Sequence, residues 1–316
     1  MGFHSIRHLA ESVALRVLVC LLQMFSPRQT VFLCRLFAWF IRKLLPEKLT
    51  RTHVVRENLR LSFPEKSPAE IETIINGMWV HLFRLLAEIA QLPRRLSLRR
   101  IYDVLEFRNR PDVLGALCSG RPVILLSGHV GNWEMAVATF GYLGFPMGVV
   151  ARDLDNPRLN EWMRQFRSHT GHTLLAKKGD YEKILKQLEQ NKHLALLGDQ
   201  DAGAQGQFVD FFGRPASTFK SIALLALQFD ALIVVGYARR LPDDFEKYPW
   251  FRFELGCEEV IDPLTIDSMN PVWEITQRYT TALERIIRRD PEQYLWLHRR
   301  WKSVPAKRKR RAAKAA

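Results

Sequence analysis

The chain has 316 residues, 47% of them hydrophobic, enough for one large packed domain or two modest ones, and this excludes wholesale disorder. Its 47 Lys and Arg against 33 Asp and Glu leave a net charge of +14, which points to a polyanionic partner: nucleic acid, an anionic membrane, or an acidic substrate or carrier. Cys20, Cys34, Cys118 and Cys257 stand far apart, a spacing that fits neither a zinc site nor a dense disulfide framework; a reduced, cytosolic setting is the simplest reading.

The first predicted elements are two apolar helices. "VLVCLLQMF" (17–25) carries no charge, and "VFLCRLFAWFIRKLL" (31–45) is broken by Arg35 and Arg42. Arg28, Arg35 and Arg42 recur every seven residues, near one face of a helix whose other positions include Phe32, Phe37, Trp39, Phe40 and Ile41. A cationic stripe beside an aromatic face predicts a helix in a membrane interface; two buried core helices are the alternative. Neither stretch reaches the roughly 20 apolar residues of a membrane span, and a cleavable signal peptide fits poorly.

Residues 50–110 read as helical. "SPAEIETIINGMWVHLFRLLAEIAQL" opens with Ser67 as cap, Pro68 in the first turn and Glu70 three residues after the cap. From Pro122 the pattern alternates. β-Branched apolar runs predict strands at 122–128, 147–152, 193–199 and 231–239, with a more exposed strand at 250–260. Amphipathic stretches predict helices at about 132–143, 157–170, 180–190, 217–229 and 272–289. There is no internal repeat and no long linker. The alternation predicts an α/β fold with a mixed, largely parallel central sheet flanked by helices. Sites in such sheets gather beyond the carboxyl ends of the strands, where His129, Arg152, Asp199, Asp201 and Arg239 fall. The chain closes on "AKRKRRAAKAA", a basic tail suited to solvent, anionic lipid or nucleic acid.

"LLSGHVGNWEMA" (125–136) is the stretch with the most chemistry. An apolar strand delivers His129, Gly128 and Gly131 permit a tight reversal, and Asn132 can cap the helix that follows. Glu134 then sits in the first turn, from where it can orient the imidazole and leave the other ring nitrogen as a base. A structural histidine beside a glutamate complementing the helix dipole is the alternative. Arg152 suits a phosphate or an oxyanion, or a surface ion pair with Asp153 or Asp155. Lys177 and Lys178 could receive phosphate or form a solvated loop. Asp199 and Asp201 could bind Mg²⁺, although no His or Cys stands near in sequence. Phe208, Phe211 and Phe212 could be plain core. His169 and His172 read as an exposed helix end.

The His-x-x-x-x-Glu motif after an apolar strand resembles the signature of the glycerolipid and lysophospholipid acyltransferase superfamily. "ARDLDNPRLNEWMRQFR" (151–167), "GDQDAGAQGQFVDFFGRPAST" (198–218) and "PEQYLWLHRRWK" (291–302) are similar, in order and spacing, to the bacterial lipid A lauroyl and myristoyl acyltransferases. The resemblance covers roughly residues 10–304. It implies that His129, oriented by Glu134, takes a proton from a hydroxyl of a lipid-linked sugar. The oxygen then attacks the thioester of an acyl carrier protein or acyl-CoA, with no metal or bound cofactor. It further implies that Arg152, Asn156, Asp199, Asp201, Phe211, Phe212 and Arg300 line or shape the substrate site, with Arg300 pairing with Asp199 or Asp201; Lys178 joins them as a candidate phosphate ligand on its charge alone. The implied organisation is an N-terminal helical membrane anchor (1–48), an acyltransferase domain (49–304) on the cytoplasmic face of the inner membrane, and a basic disordered tail (305–316). The expected acceptor is an anionic glycolipid of the lipid A precursor type, and no nucleic acid is involved. A phosphatidylinositol mannoside or an aminolipid as acceptor, or a non-catalytic binder of anionic lipid, are the alternatives. Ala202 stands where related proteins often carry tyrosine, which changes the acceptor side of the site.

Overall fold

The structure, a computed structural model, describes residues 3–177 and 179–305. The basic tail from residue 306 and Lys178 therefore lie outside the described residues.

In chain order the elements are α1 (Phe3–Met24), α2 (Pro27–Leu44), the short α3 (Glu47–Thr50), α4 (Thr52–Ser62), α5 (Pro68–Arg95), α6 (Ile101–Val104), β1 (Leu105–Arg108), α7 (Arg110–Leu117), β2 (Val123–Ser127) and α8 (Trp133–Tyr142). Then follow β3 (Met147–Ala151), α9 (Pro157–Ser168), β4 (Thr173–Ala176), α10 (Tyr181–Glu189), β5 (His193–Leu197), β6 (Gln207–Phe211), β7 (Arg214–Thr218), α11 (Lys220–Gln228), β8 (Leu232–Arg240), β9 (Phe253–Ile261) and α12 (Pro271–Arg289). The main sheet has seven strands in the order β1-β9-β8-β2-β5-β3-β4. The β8–β9 pairing is antiparallel and the others are parallel, so the expected mixed, largely parallel sheet is what forms.

Side-chain alternation splits the core. Ile124 and Leu126 of β2 face a layer made of α4, α5, α10, α11 and α12. Val123 and Leu125 face α7 and α8. The helix starts follow local rules: α5 begins at a capping box in which Ser67 Oγ accepts from Glu70 N and Glu70 Oε2 accepts from Ser67 N. A second box, Ser26 with Gln29, starts α2.

Three strand-level expectations fail for readable reasons. β1 falls within the stretch read as helical, because four residues are too few for alternation to show. β4 is as short. The expected helix start at 217 is instead the end of β7, which pairs with β6 as a separate hairpin.

α1 and α2 pack on α5: Gln91 Nε2 donates to the Leu22 carbonyl at 2.8 Å, and Gln23 Nε2 donates to the Ala90 carbonyl at 2.9 Å. Their outer faces carry Val13, Val17, Leu21, Phe32, Trp39 and Phe40, all exposed. Arg35 is exposed among them, but Arg42 turns back onto α5, where it contacts Glu72 and donates to Asn76. Among the described residues no helix is long and apolar enough to cross a membrane, so the expected anchor finds no spanning helix.

Candidate active site

β2 and β5 are parallel neighbours with Ser127 opposite Leu197. Two residues further along each strand, His129 and Asp199 meet. Asp199 Oδ2 accepts from the His129 backbone N at 2.9 Å, and Oδ1 lies 2.8 Å from Nδ1 of the ring. Asp199 also accepts a hydrogen bond from the Tyr294 hydroxyl. Burial disfavours the Asp199 carboxylate, but the His129 charge and hydrogen bonds outweigh it and hold the carboxyl well below its usual range. Burial likewise opposes a charged His129; the Asp199 charge and hydrogen bond, with Glu134 farther off, win and raise the imidazole above its usual value. With Nδ1 committed to Asp199, Nε2 is the nitrogen left to exchange protons with a substrate.

The loop after His129 is pinned on both sides. Gly131 N donates to the Gln293 carbonyl at 2.8 Å, Asn132 N to Ala238 at 2.7 Å, and Leu295 N to His129 at 2.9 Å. Gly131 has φ +61, and a Cβ there would stand 2.1 Å from the Ala238 oxygen. This is a close approach that glycine alone allows. Asn132 Oδ1 accepts from Met135 N at 2.9 Å and caps α8 as expected.

Glu134 is buried in the first turn of α8, but its partner is not His129. Arg167, from the last turn of α9, donates to both its oxygens at 2.6 and 3.0 Å. Asp199 already occupies the Nδ1 position, and Arg167 offers the fork that a carboxylate grips best. Arg167 is the residue that reading the sequence one motif at a time missed. It closes the "ARDLDNPRLNEWMRQFR" stretch, and an arginine ending an amphipathic helix reads as solvated.

Below this cluster opens a cavity of about 1050 Å³ between the sheet and α7–α8. His129, Trp133, Glu134 and Arg167 line one part of it; Leu125, Val137, Phe140, Phe145, Val149 and Leu114 line the rest. The Trp133 ring stands edge-on to His129 at 5.1 Å, and the His298 ring lies 5.1 Å away on the other side. His298 Nε2 meets Gln200 Nε2 at 3.1 Å, and burial with the His129 charge lowers its own proton affinity.

The remaining expected residues fall in different places. Arg152 stands at the cavity rim, largely in solvent, 3.2 Å from Asp155. Asn156 is not turned to the cavity as expected: its Oδ1 caps α9 at Arg158 N, and its Nδ2 donates to the His8 carbonyl at 3.0 Å and Glu11 Oε2 at 2.8 Å. Asp201 receives Ser303 N at 3.2 Å and Ser303 Oγ at 3.0 Å and so ties down the chain after the last helix. Phe211 and Phe212 are core, stacked edge-to-face at 4.8 Å, with Phe212 also against Trp296. Neither lines the cavity. Arg300 is 3% exposed and donates to the Ser217 carbonyl and to Thr218 Oγ1, both at 2.6 Å. It thus clamps the end of β7, and Asp199 and Asp201 act on it only as more distant charges. His172 is buried rather than exposed; it accepts from Met147 N and contacts the Val137 carbonyl.

A histidine held by a carboxylate at the head of an apolar cavity suits acyl transfer, and the comparisons with known proteins agree. The family described as bacterial lipid A biosynthesis acyltransferase matches residues 4–303. The lipid A biosynthesis lauroyltransferase of Escherichia coli K12 is 28% identical over 264 residues, covering 81% of this chain and 80% of that protein. The palmitoleoyltransferase of the same organism is 26% identical over 260 residues, covering 81% and 80%. A phosphatidylinositol mannoside acyltransferase of Mycolicibacterium smegmatis is 25% identical over 245 residues, covering 75% of each chain. The chain belongs to the bacterial lipid A biosynthesis acyltransferase family, and it is an acyltransferase acting on a lipid acceptor.

Proposed function

We propose that this enzyme moves a fatty acyl chain from a thioester, on acyl carrier protein or CoA, to a hydroxyl of an anionic glycolipid of the lipid A precursor type. The observation that carries the reading is the His129–Asp199 pair at the head of the apolar cavity. The cavity takes the acyl chain, with the thioester carbonyl beside His129. Nε2 accepts the proton of the acceptor hydroxyl while its oxygen attacks the carbonyl carbon. The tetrahedral oxyanion is stabilised by the positive end of α8 and by Arg167, which lines the same cavity as His129. The carbon–sulfur bond then breaks, and the leaving thiolate takes the proton from the imidazolium. Glu134 keeps Arg167 in place, and Arg152 at the rim is the group available to an acceptor phosphate.

The exposed apolar faces of α1 and α2, with Arg16, Arg28, Arg35 and Lys43 exposed on the same helices, support docking on an anionic inner-membrane surface from the cytoplasmic side. α1 also reaches the acceptor side of the site, since His8 and Glu11 accept from Asn156 at the start of α9.

The test is purified enzyme given lauroyl carrier protein or lauroyl-CoA and a lipid A precursor, with products read by mass spectrometry. Acylated precursor made by the native enzyme and not by His129→Ala supports the reading. Transfer only to a phosphatidylinositol mannoside moves the acceptor to that class. Full activity of His129→Ala removes the proposed base.

A further inference from the structure

Behind the catalytic loop, on the side away from the cavity, lies a buried charged cluster that the mechanism above does not use. Glu88 of α5 is 0% exposed. Arg240, at the end of β8, contacts its Oε1 through Nε and donates to Oε2 from Nη2 at 2.9 Å. Arg84 stands 3.8 Å from Glu88 and is itself held by Asp243 at 2.5 and 2.9 Å. Arg240 Nη1 donates to His81 Nδ1 at 3.0 Å, and burial with the two arginines keeps that imidazole neutral.

The cluster meets the start of α8 through Asn132. Asn132 Nδ2 donates to Glu88 Oε2 at 3.0 Å. Asn132 is fully buried, so its amide has no water to fall back on. A carboxylate only accepts, and the Met135 N–H only donates, so one amide orientation satisfies both. The flipped amide would set oxygen against carboxylate and NH₂ against N–H. The same frame fixes the loop backbone. Gln293 exchanges two hydrogen bonds with Arg240, at 2.8 and 2.9 Å, and its carbonyl receives Gly131 N.

We propose that Glu88, which does not line the cavity, is a positioning residue for the transfer reaction: its carboxylate dictates the Asn132 amide orientation and thereby where α8 starts and where His129 and Glu134 stand. Stability alone does not explain a buried charge here. A buried ion pair is seldom more stabilising than a well-packed apolar pair. A neutral amide at position 88 would accept either orientation of Asn132 and leave the Met135 N–H alone to select it, so the negative charge is what holds the orientation from the other end of the amide.

The experiment compares Glu88→Gln, Asn132→Asp and the double variant, assayed with lauroyl carrier protein and a lipid A precursor well below each melting midpoint. Aspartate caps helices as well as asparagine does, so Asn132→Asp keeps the cap, loses the donor to Glu88 and sets a second carboxylate against it, a repulsion that Glu88→Gln in the double variant removes. Each single variant is expected to lose kcat by about 10- to 100-fold, the scale of a misplacement near 1 Å, with the donor KM within about twofold. In the double variant the amide at 88 donates to the carboxylate at 132. The single orientation returns with reversed polarity, and at least about tenfold of the lost kcat is recovered. Folded single variants with native kcat, or a folded double variant whose loss is the product of the two singles, overturn the proposal. If a single variant does not fold, the folded double variant decides alone, by native-like or lost turnover. The inference rests on His129 as base. An active His129→Ala enzyme ends that assignment, whereas coupling between positions 88 and 132 is read independently from their melts.

Discussion

Asp199 grips His129 at two points, the backbone N–H at 2.9 Å and ring Nδ1 at 2.8 Å. One fully buried carboxylate thus sets both the backbone position of the proposed base and the tautomer of its ring. Asp199→Asn should keep the fold and lower kcat by about 10³- to 10⁴-fold, because an amide no longer selects the working tautomer. The pH profile gives the sign. In the native enzyme the raised imidazole must lose its proton before it can act as base, so the rate climbs with pH through that raised value. With the charge at 199 gone, burial dominates and the acid limb moves to lower pH. A rate profile whose acid limb does not move in Asp199→Asn ends the assignment.

Glu134 and Arg167 make a second pair, 5% and 14% exposed in their side chains. Removing one partner leaves an uncompensated buried charge. Glu134→Ala and Arg167→Ala should each lower stability by about 3–5 kcal/mol, and the double variant by clearly less than the sum. Denaturant unfolding of the four proteins checks it. Glu134 reaches His129 only as a distant charge, so Glu134→Ala should shift the acid limb less than Asp199→Asn does. An equal shift would restore Glu134 as the orienting carboxylate.

The strands that carry the site were legible because Val, Ile and Leu runs bounded by glycine are long enough to show their period. His129 and Asp199 therefore stand at strand ends in the sequence itself. Their pairing was not legible, because it depends on β5 lying beside β2, a neighbour relation set by packing rather than by local pattern. The same cause hid Arg167, which comes from a helix two elements away. Asn156 and Arg300 carry the residue types of ligand-binding groups. Asn156 instead satisfies a helix end and Arg300 the end of a strand, uses that depend on which backbone groups burial leaves without water. Asp201 shows the reverse: the family resemblance offers it, or Asp199, as the partner of Arg300, and the fold gives it Ser303.

The cavity predicts chain-length selection. Leu114 of α7 lines it, as does Phe145, which stands two residues ahead of β3 and so at the end of the parallel strands opposite His129. Each methylene kept out of an apolar pocket loses about 0.8 kcal/mol, or roughly fourfold in kcat/KM. Leu114→Trp should therefore shift preference toward shorter donors by about that factor per excluded methylene, while Phe145→Ala should favour longer ones. Competition between donors of graded length, read by mass spectrometry, measures it. Unaltered preference in both variants would put the acyl chain elsewhere.

The outer face of α2 makes the last prediction. Trp39 is 54% and Phe40 47% exposed, and Arg35 is exposed between the same turns. Full burial of a large apolar side chain contributes about 1.5–3 kcal/mol, so half-exposed rings moving into lipid contribute about 1 kcal/mol each. Trp39→Ala with Phe40→Ala should weaken partition to anionic vesicles by about 2 kcal/mol, roughly thirtyfold, at every salt concentration. Arg35→Glu removes one basic contribution of about 1 kcal/mol and adds repulsion, and that loss should fade as salt screens it. Vesicle sedimentation across a salt series separates the two effects, because apolar insertion does not respond to screening and charge does. Undiminished sedimentation of the aromatic double variant at both low and high salt would mean that the membrane meets another face of the protein.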